Sequence, residues 1–265
     1  MVKILFLGDI FGRPGRQVVR DLLPGLVGRE NIDLALANGE NVSGGLGLNP
    51  EEAFELLDLG LAVLTGGNHT FRYKSINRML DEDPRLVRPA NYPPPCPGRG
   101  WTMAETPGGV KVAVGNVMGR VFMNTALDCP FLACDRMLEE MKAAGALITI
   151  FDFHAEATSE KRALGWYLDG RAGALLGTHT HVPTADAEIM PGGLAYQTDL
   201  GMCGPHYSII GMSRESVLPT FLSGRPSRFE PGTKGARLNG VIIDFDDAGR
   251  ATGIRQINLK GAAAR

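Results

Sequence analysis

Cysteine is scarce in this chain of 265 residues, and its four copies at positions 96, 129, 134 and 203 form no C-x-x-C pair. That pattern speaks against a disulfide framework or a zinc finger and predicts reduced cysteines packed as small hydrophobes. Charge of one sign is not in excess either: 27 Lys+Arg oppose 29 Asp+Glu, for a formal net charge of -2. A surface that tracks long runs of phosphates needs a basic surplus, so no long nucleic acid is expected as a partner, while a small phosphorylated ligand stays allowed. Long apolar runs are also lacking. The opening run, residues 1–7, meets Asp9 almost at once, far short of the ~20 residues that span a bilayer. It predicts a buried first strand in a protein with no membrane partner and a cytoplasmic location, where the sequon Asn41-Val42-Ser43 has no glycan to carry.

Glycine and proline are plentiful, with 35 and 17 copies. Together they make about a fifth of the chain, under the roughly 25–30% of low-complexity disorder, and imply tight turns between short elements. No repeat, charge block or long linker interrupts the sequence, so residues 1–265 are read as one domain. Apolar runs at 2–7, 34–37, 62–65, 110–114, 147–151, 174–176 and 241–245 predict strands. Amphipathic stretches at 16–27, 50–59, 75–80, 131–144, 160–168 and 212–222 predict helices, the second with Asn49 as its cap, Pro50 at its first position and Gly60 as its stop. Strand-helix alternation predicts parallel strands with crossover helices. Residues 241–245 and 254–259 predict a closing hairpin. The segment Arg88-Pro89-Ala90-Asn91-Tyr92-Pro93-Pro94-Pro95 is read as an extended insertion ahead of a central strand.

The residues with chemistry sit at strand ends. Asp9 follows the first apolar run, Glu40-Asn41 the second, Asn68-His69 the third, His154 the fifth and His179-x-His181 the sixth. Loops beyond the carboxyl ends of parallel strands meet at one edge of an α/β sheet, so these residues are expected to converge. Each alone has an ordinary structural reading: Asp9 as a helix cap, the Glu40 and Asn68 segments as turns, His154 as a core histidine. His179 and His181 alternate, which in an extended segment points both rings to one side. Five such pieces at successive strand ends jointly predict a metal site. Two carboxylates, two amides and several imidazoles, with no thiolate, suit manganese, iron, zinc or a similar ion. Glu40 could bridge two cations, and a pair roughly 3.5–4 Å apart would clamp a phosphoryl group and sharpen water into hydroxide for attack on phosphorus. The glycines Gly8, Gly12 and Gly15 have the wrong spacing for a dinucleotide fingerprint, and Asp9 sits where phosphate should approach. Arg13, Arg16 and Thr180 are weaker candidates for substrate contact, and His206 is assigned no role.

The ordered set Gly8-Asp9, Gly39-Glu40-Asn41, Gly67-Asn68-His69, His154 and Thr178-His179-Thr180-His181 resembles the calcineurin-like metallophosphoesterase superfamily. With Asp152-Phe153-His154-Ala155-Glu156-Ala157-Thr158-Ser159-Glu160-Lys161 and Gln197-Thr198-Asp199-Leu200-Gly201-Met202, it is more narrowly similar to the bacterial YmdB-type subfamily of 2',3'-cyclic-nucleotide phosphodiesterases. The resemblance spans nearly the whole chain. It implies a four-layer α/β/β/α sandwich with two metal ions, one on Asp9, Glu40, Asn41 and His181, the other on Glu40, Asn68, His154 and His179. It also implies a cyclic-nucleotide substrate, a homo-oligomer, and His69 as proton donor to the leaving oxygen, a task suited to an imidazole that ordinarily titrates near neutrality. One departure stands out. Many superfamily members have Asp-x-His at the first motif, whereas this chain has Phe11 there, and Asn41 replaces the lost ligand. A harder, less nitrogen-rich site tilts the expectation from zinc towards iron or manganese. Two alternatives stay open: a phosphatase or nuclease acting on another phosphoester, and a regulatory nucleotide- or partner-binding protein on the same metal scaffold.

Overall fold

The computed structural model describes residues 1–261. Val2–Leu7 (β1), Gly12–Glu30 (α1), Leu34–Asn38 (β2), Pro50–Asp58 (α2), Leu61–Thr65 (β3), Ile76–Glu82 (α3) and Leu86–Val87 (β4) alternate strand and helix. β1 to β4 run parallel in sequence order. α1 starts at Gly12, ahead of the predicted 16–27 stretch, because Pro14 is compatible with a helix's first turn. Asn49 caps α2 as expected, its side chain accepting from the Glu52 N–H at 3.2 Å.

β4 stops where Pro89 removes the next ladder donor. The proline-rich segment beyond it is not an insertion ahead of a central strand, as its composition predicted; it carries the chain from one sheet to a second. The Arg88 N–H donates to Arg99 O at 3.0 Å and the Ala90 N–H to Asn116 O at 2.8 Å, while the Asn91 amide donates to Met118 O at 2.7 Å. The strand it leads to, Trp101–Glu105 (β5), is an edge, antiparallel to Lys111–Met118 (β6). Pro130–Ala143 (α4), Ile148–His154 (β7), Thr158–Leu168 (α5), Ala174–Thr178 (β8), Glu188–Ile189 (β9) and Ala195–Gln197 (β10) complete the second sheet. Its order is β5-β6-β7-β8-β10-β9, with β6, β7, β8 and β10 parallel. The chain returns to the first sheet through Gly204–Pro205 (β11), Arg214–Ser223 (α6), Ala236–Phe245 (β12) and Ala251–Lys260 (β13). β12 and β13 form the expected hairpin, longer than predicted, and β12 lies antiparallel to β1. β4, β5, β9, β10 and β11 escape the apolar pattern because they are short or, for β5, peripheral and half-exposed.

Side-chain alternation along each strand sorts the core into three layers. From β1, Leu5 and Leu7 pack with Val19 and Leu23 of α1 and Leu56 of α2. Ile4 and Phe6 point the other way, into a layer shared with Leu36, Val63, Val112, Val114, Ile150 and Leu176, which lies between the sheets. Phe151 and Phe153 of β7 face outwards again, onto Met137 and Met141 of α4 and Leu164 of α5. Helices, sheet, sheet and helices therefore stack as the α/β/β/α sandwich that the resemblance implied. Cys134 and Cys203 are buried and free as expected, whereas Cys96 and Cys129 are only partly buried. Among the described residues no helix is long and apolar enough to cross a membrane.

The middle layer has no helix to repack against it, which makes it the least forgiving. Ile150→Ala is expected to cost about 2–5 kcal/mol, the range for a fully buried large-to-alanine change. Denaturant unfolding measures it, and a loss under about 1 kcal/mol would contradict this assignment of the core.

Candidate metal centre

The carboxyl ends of β1, β2 and β3 in one sheet and of β7 and β8 in the other reach the same edge of the sandwich. Every residue expected to converge does so, around Glu40. Glu40 Oε2 accepts from the His69 N–H at 2.9 Å. Its Oε1 accepts from the Asn41 amide at 2.8 Å and faces His69 Nδ1 at 3.1 Å and His154 Nε2 at 3.3 Å. His154 Nε2 also faces Asn68 Oδ1 at 2.8 Å and His179 Nδ1 at 3.0 Å. On the far side of Glu40, His181 Nε2 lies 3.2 Å from the Asn41 amide nitrogen and 3.7 Å from Asp9 Oδ1. Asp9 Oδ2 accepts from the His179 N–H at 3.2 Å.

This donor set fits cations. A ring nitrogen carries at most one proton, yet His154 Nε2 faces a carboxylate oxygen, an amide oxygen and a second ring nitrogen together. Among the described residues buried Asp9 Oδ1 has no hydrogen-bond partner, an unusual state for a buried polar atom. One donor atom each from Glu40, His154 and His179 lies within 4.8 Å of the others. Lone pairs are in surplus here, and oxygen with imidazole nitrogen suits hard to borderline cations.

The electrostatics express the same surplus. Burial pushes the Asp9 carboxyl up, but His181 and His154 outweigh it and hold Asp9 below its ordinary value. Burial is likewise outweighed at Glu40, which His154 and His69 hold well below the usual carboxylate range. Burial lowers His181, yet Asp9 prevails and raises the ring to about 9. Burial and the neighbouring His154 drive His179 down to about 3. Two buried carboxylates thus draw positive charge into the cluster.

Beneath the cluster the inter-sheet layer turns polar. Alternation along β7 puts Asp152 on the face of Ile150 and His154, towards the first sheet. Thr178 Oγ1 faces His154 Nδ1 at 2.9 Å and donates to Asp152 Oδ1 at 2.7 Å, so a carboxylate orients the imidazole through a hydroxyl. Asp152 Oδ2 accepts from the Asn38 amide at 2.8 Å and from Thr65. Burial lifts the Asp152 carboxyl to about 6 against these bonds. His179 has its own brace, since its Nε2 meets Glu156 Oε2 at 3.1 Å. Buried Lys161 donates to Asp199 Oδ2 at 2.8 Å, and the same oxygen accepts from the Thr180 N–H and hydroxyl, which fixes the loop carrying both histidines.

That loop corrects one expectation. His179 and His181 are not in an extended segment: their φ values are 98° and 67°, and the left-handed backbone sends the two rings to different parts of the cluster. Thr180 is committed to Asp199. Arg16 is not free for a phosphate, because it pairs with Glu52 at 2.7 Å and Glu55 at 3.0 Å and donates to Val42 O. His206 is engaged by Asn239 and Met202 O rather than by the donors around Glu40. Phe11, in place of an imidazole ligand, is buried with its ring edge-on to His181 at 5.6 Å. Gly67 is required by space, since a Cβ there would overlap Glu40 Oε2 and the His154 ring. The sequence gives no role to Asn38, Thr65, Asp152 or Thr178: the last two stand inside the quoted motifs, but all four lie inside strands or at their last residue, where a polar side chain carries no signal of its partners.

Known proteins share this architecture. The family model described as YmdB-like protein matches residues 5–257. A 2',3'-cyclic-nucleotide 2'-phosphodiesterase of Bacillus subtilis (strain 168) is 46% identical over 246 residues, covering 93% of this chain and 92% of its own. Among solved structures, a hypothetical protein from Thermus thermophilus superposes with a TM-score of 0.91 at 44% identity, over 98% of this chain and 99% of that one. A novel phosphatase from Mycoplasma pneumoniae gives a TM-score of 0.91 at 34% identity, over 98% and 93% of the two chains. A match across nearly every element, with the strand-end donors all drawn to one point, means that this chain belongs to the YmdB-like family.

Proposed function

We propose that this protein is a phosphodiesterase that opens 2',3'-cyclic nucleotides at a centre of two cations, iron or manganese. The observation that carries the reading is the surplus of buried donors around Glu40, and the identity to the Bacillus subtilis enzyme supports the choice of substrate. Asp9, Glu40, Asn41 and His181 would hold one cation, and Glu40, Asn68, His154 and His179 the other. Cations bound there supply Lewis acidity, which draws charge from the phosphoryl oxygens and acidifies water.

The chain's own side chains do the rest. Asp9 and Glu40 bring the negative charge, and the hydroxyl of Thr178 fixes the tautomer of His154 so that Nε2 points into the cluster. His69 has the most exposed imidazole of the four, with 31% of its side chain open, and its Nδ1 is steadied by Asn41 Oδ1 at 2.9 Å. In this reading His69 gives a proton from Nε2, which here faces the Asn68 amide nitrogen at 3.1 Å, to the departing 2' oxygen as the oxygen of water joins phosphorus and the P–O2' bond breaks; the proton that water loses goes to solvent and a nucleoside 3'-phosphate is left. A small cyclic diester needs no basic track, which agrees with the balanced charge of the chain.

Steady-state assays of 2',3'-cyclic AMP beside a phosphomonoester, with and without a chelator, test the reading; it predicts chelator-sensitive opening of the diester, and a preference for the monoester would favour a phosphatase. His69→Ala is expected to keep its bound metal and lose about a hundred- to ten-thousand-fold in kcat, the usual worth of a positioned proton donor. A variant with wild-type turnover would remove that role. Thr178→Val keeps the volume and deletes the hydroxyl bridge, and is expected to weaken one of two manganese-binding events about ten- to a hundredfold in calorimetric titration of the stripped protein. Unchanged affinities would show that the bridge to Asp152 has no part in orienting His154.

A further inference from the structure

Beside the donor cluster lies a cavity of about 390 Å³ whose remaining lining is largely apolar, contributed by Phe11, Leu46, Ile210, Met212 and Phe229. That volume is in the range of small-ligand sites, ~300–1,000 Å³. Two of these side chains are open to solvent, Ile210 at 54% and Phe229 at 44%. The wall they form is tied to the cluster, because Ile210 O meets His181 Nδ1 at 2.8 Å. It is also internally braced. The Ser213 N–H donates to Glu230 O and the Gly232 N–H to Gly211 O, both at 2.7 Å, so the chain on either side of Phe229 and of Met212 is held together.

We propose that this wall seats the nucleobase of the substrate, with Phe229 as the stacking platform, and that it makes the enzyme nearly indifferent to which base is bound. The inference rests on the phosphodiesterase reading above. A planar base adjoining a phosphoryl group at the cluster would cover apolar surface that water now wets. Reading a base edge needs donors and acceptors, and the two polar side chains of the lining outside the cluster offer little choice: Thr180 gives its hydroxyl proton to Asp199, and Glu156, with Oε2 against His179, presents carboxylate acceptors and no donor. Stacking on an aromatic face tolerates any base.

The test compares 2',3'-cyclic AMP, 2',3'-cyclic CMP and ethylene phosphate, a five-membered cyclic diester with no base, on the metal-loaded wild type, Phe229→Ala and Phe229→Trp. Phe229→Ala is expected to raise KM for both nucleotides about tenfold with kcat nearly unchanged, by the usual worth of one stacked base. Phe229→Trp restores KM, and ethylene phosphate does not register either change. Wild-type KM values for the two nucleotides fall within about tenfold of each other and well below that for ethylene phosphate. Unchanged nucleotide KM in Phe229→Ala, or an equal loss on ethylene phosphate, overturns the platform and leaves the phosphodiesterase reading intact. Wild-type protein that opens none of the three diesters removes both.

Discussion

A carboxylate sealed from water must be neutralised, and Glu40, with 1% of its side chain exposed, sets that demand at the centre of this fold. The penalty for burying an unpaired ion is several kcal/mol even after the protein relaxes. Asp9, fully buried close by, doubles the demand. Imidazoles from both sheets answer it, which is why His154 and His181 are pulled towards the charged form. The proposed pair of cations would answer it more fully, leaving the imidazoles neutral and able to act as ligands.

Such a cluster needs walls that do not yield. Two sheets supply them by presenting the carboxyl ends of parallel strands at one shared edge, and the rung directly below is polar and closed on itself. Asp152 accepts from Asn38, Thr65 and Thr178, so residues of four strands, β2, β3, β7 and β8, meet on one carboxylate. Deeper still the layer is packed with apolar side chains, from Phe6 to Ile150. Rigidity therefore passes upward from packing, through hydrogen bonds, to the donors.

Much of this could be read in the sequence because each donor follows an apolar run that ends in glycine, asparagine or aspartate. Asp9, Glu40, Asn68 and His154 announce themselves by position. The supports could not be read that way. Thr65 and Thr178 look like strand termini, and Asn38 and Asp152 are single polar residues whose partners are far away in sequence. The spacing of His179 and His181 pointed to two rings that do lie in the cluster but implied the wrong backbone, since alternation means an extended chain and φ values of 98° and 67° do not. Arg88 to Pro95 misled for a related reason: proline forbids helix and ladder, but it does not say whether an extended segment wanders outside a sheet or links two of them.

The account stands on the claim that Glu40 joins two cations, and metal counting tests this most directly. Protein purified from cells grown without added metal, and its Glu40→Gln counterpart, would be compared by elemental analysis. About two iron or manganese ions per wild-type chain, with both lost in Glu40→Gln, is the expected result. Fewer than one ion per wild-type chain, or zinc alone at full occupancy, would contradict it.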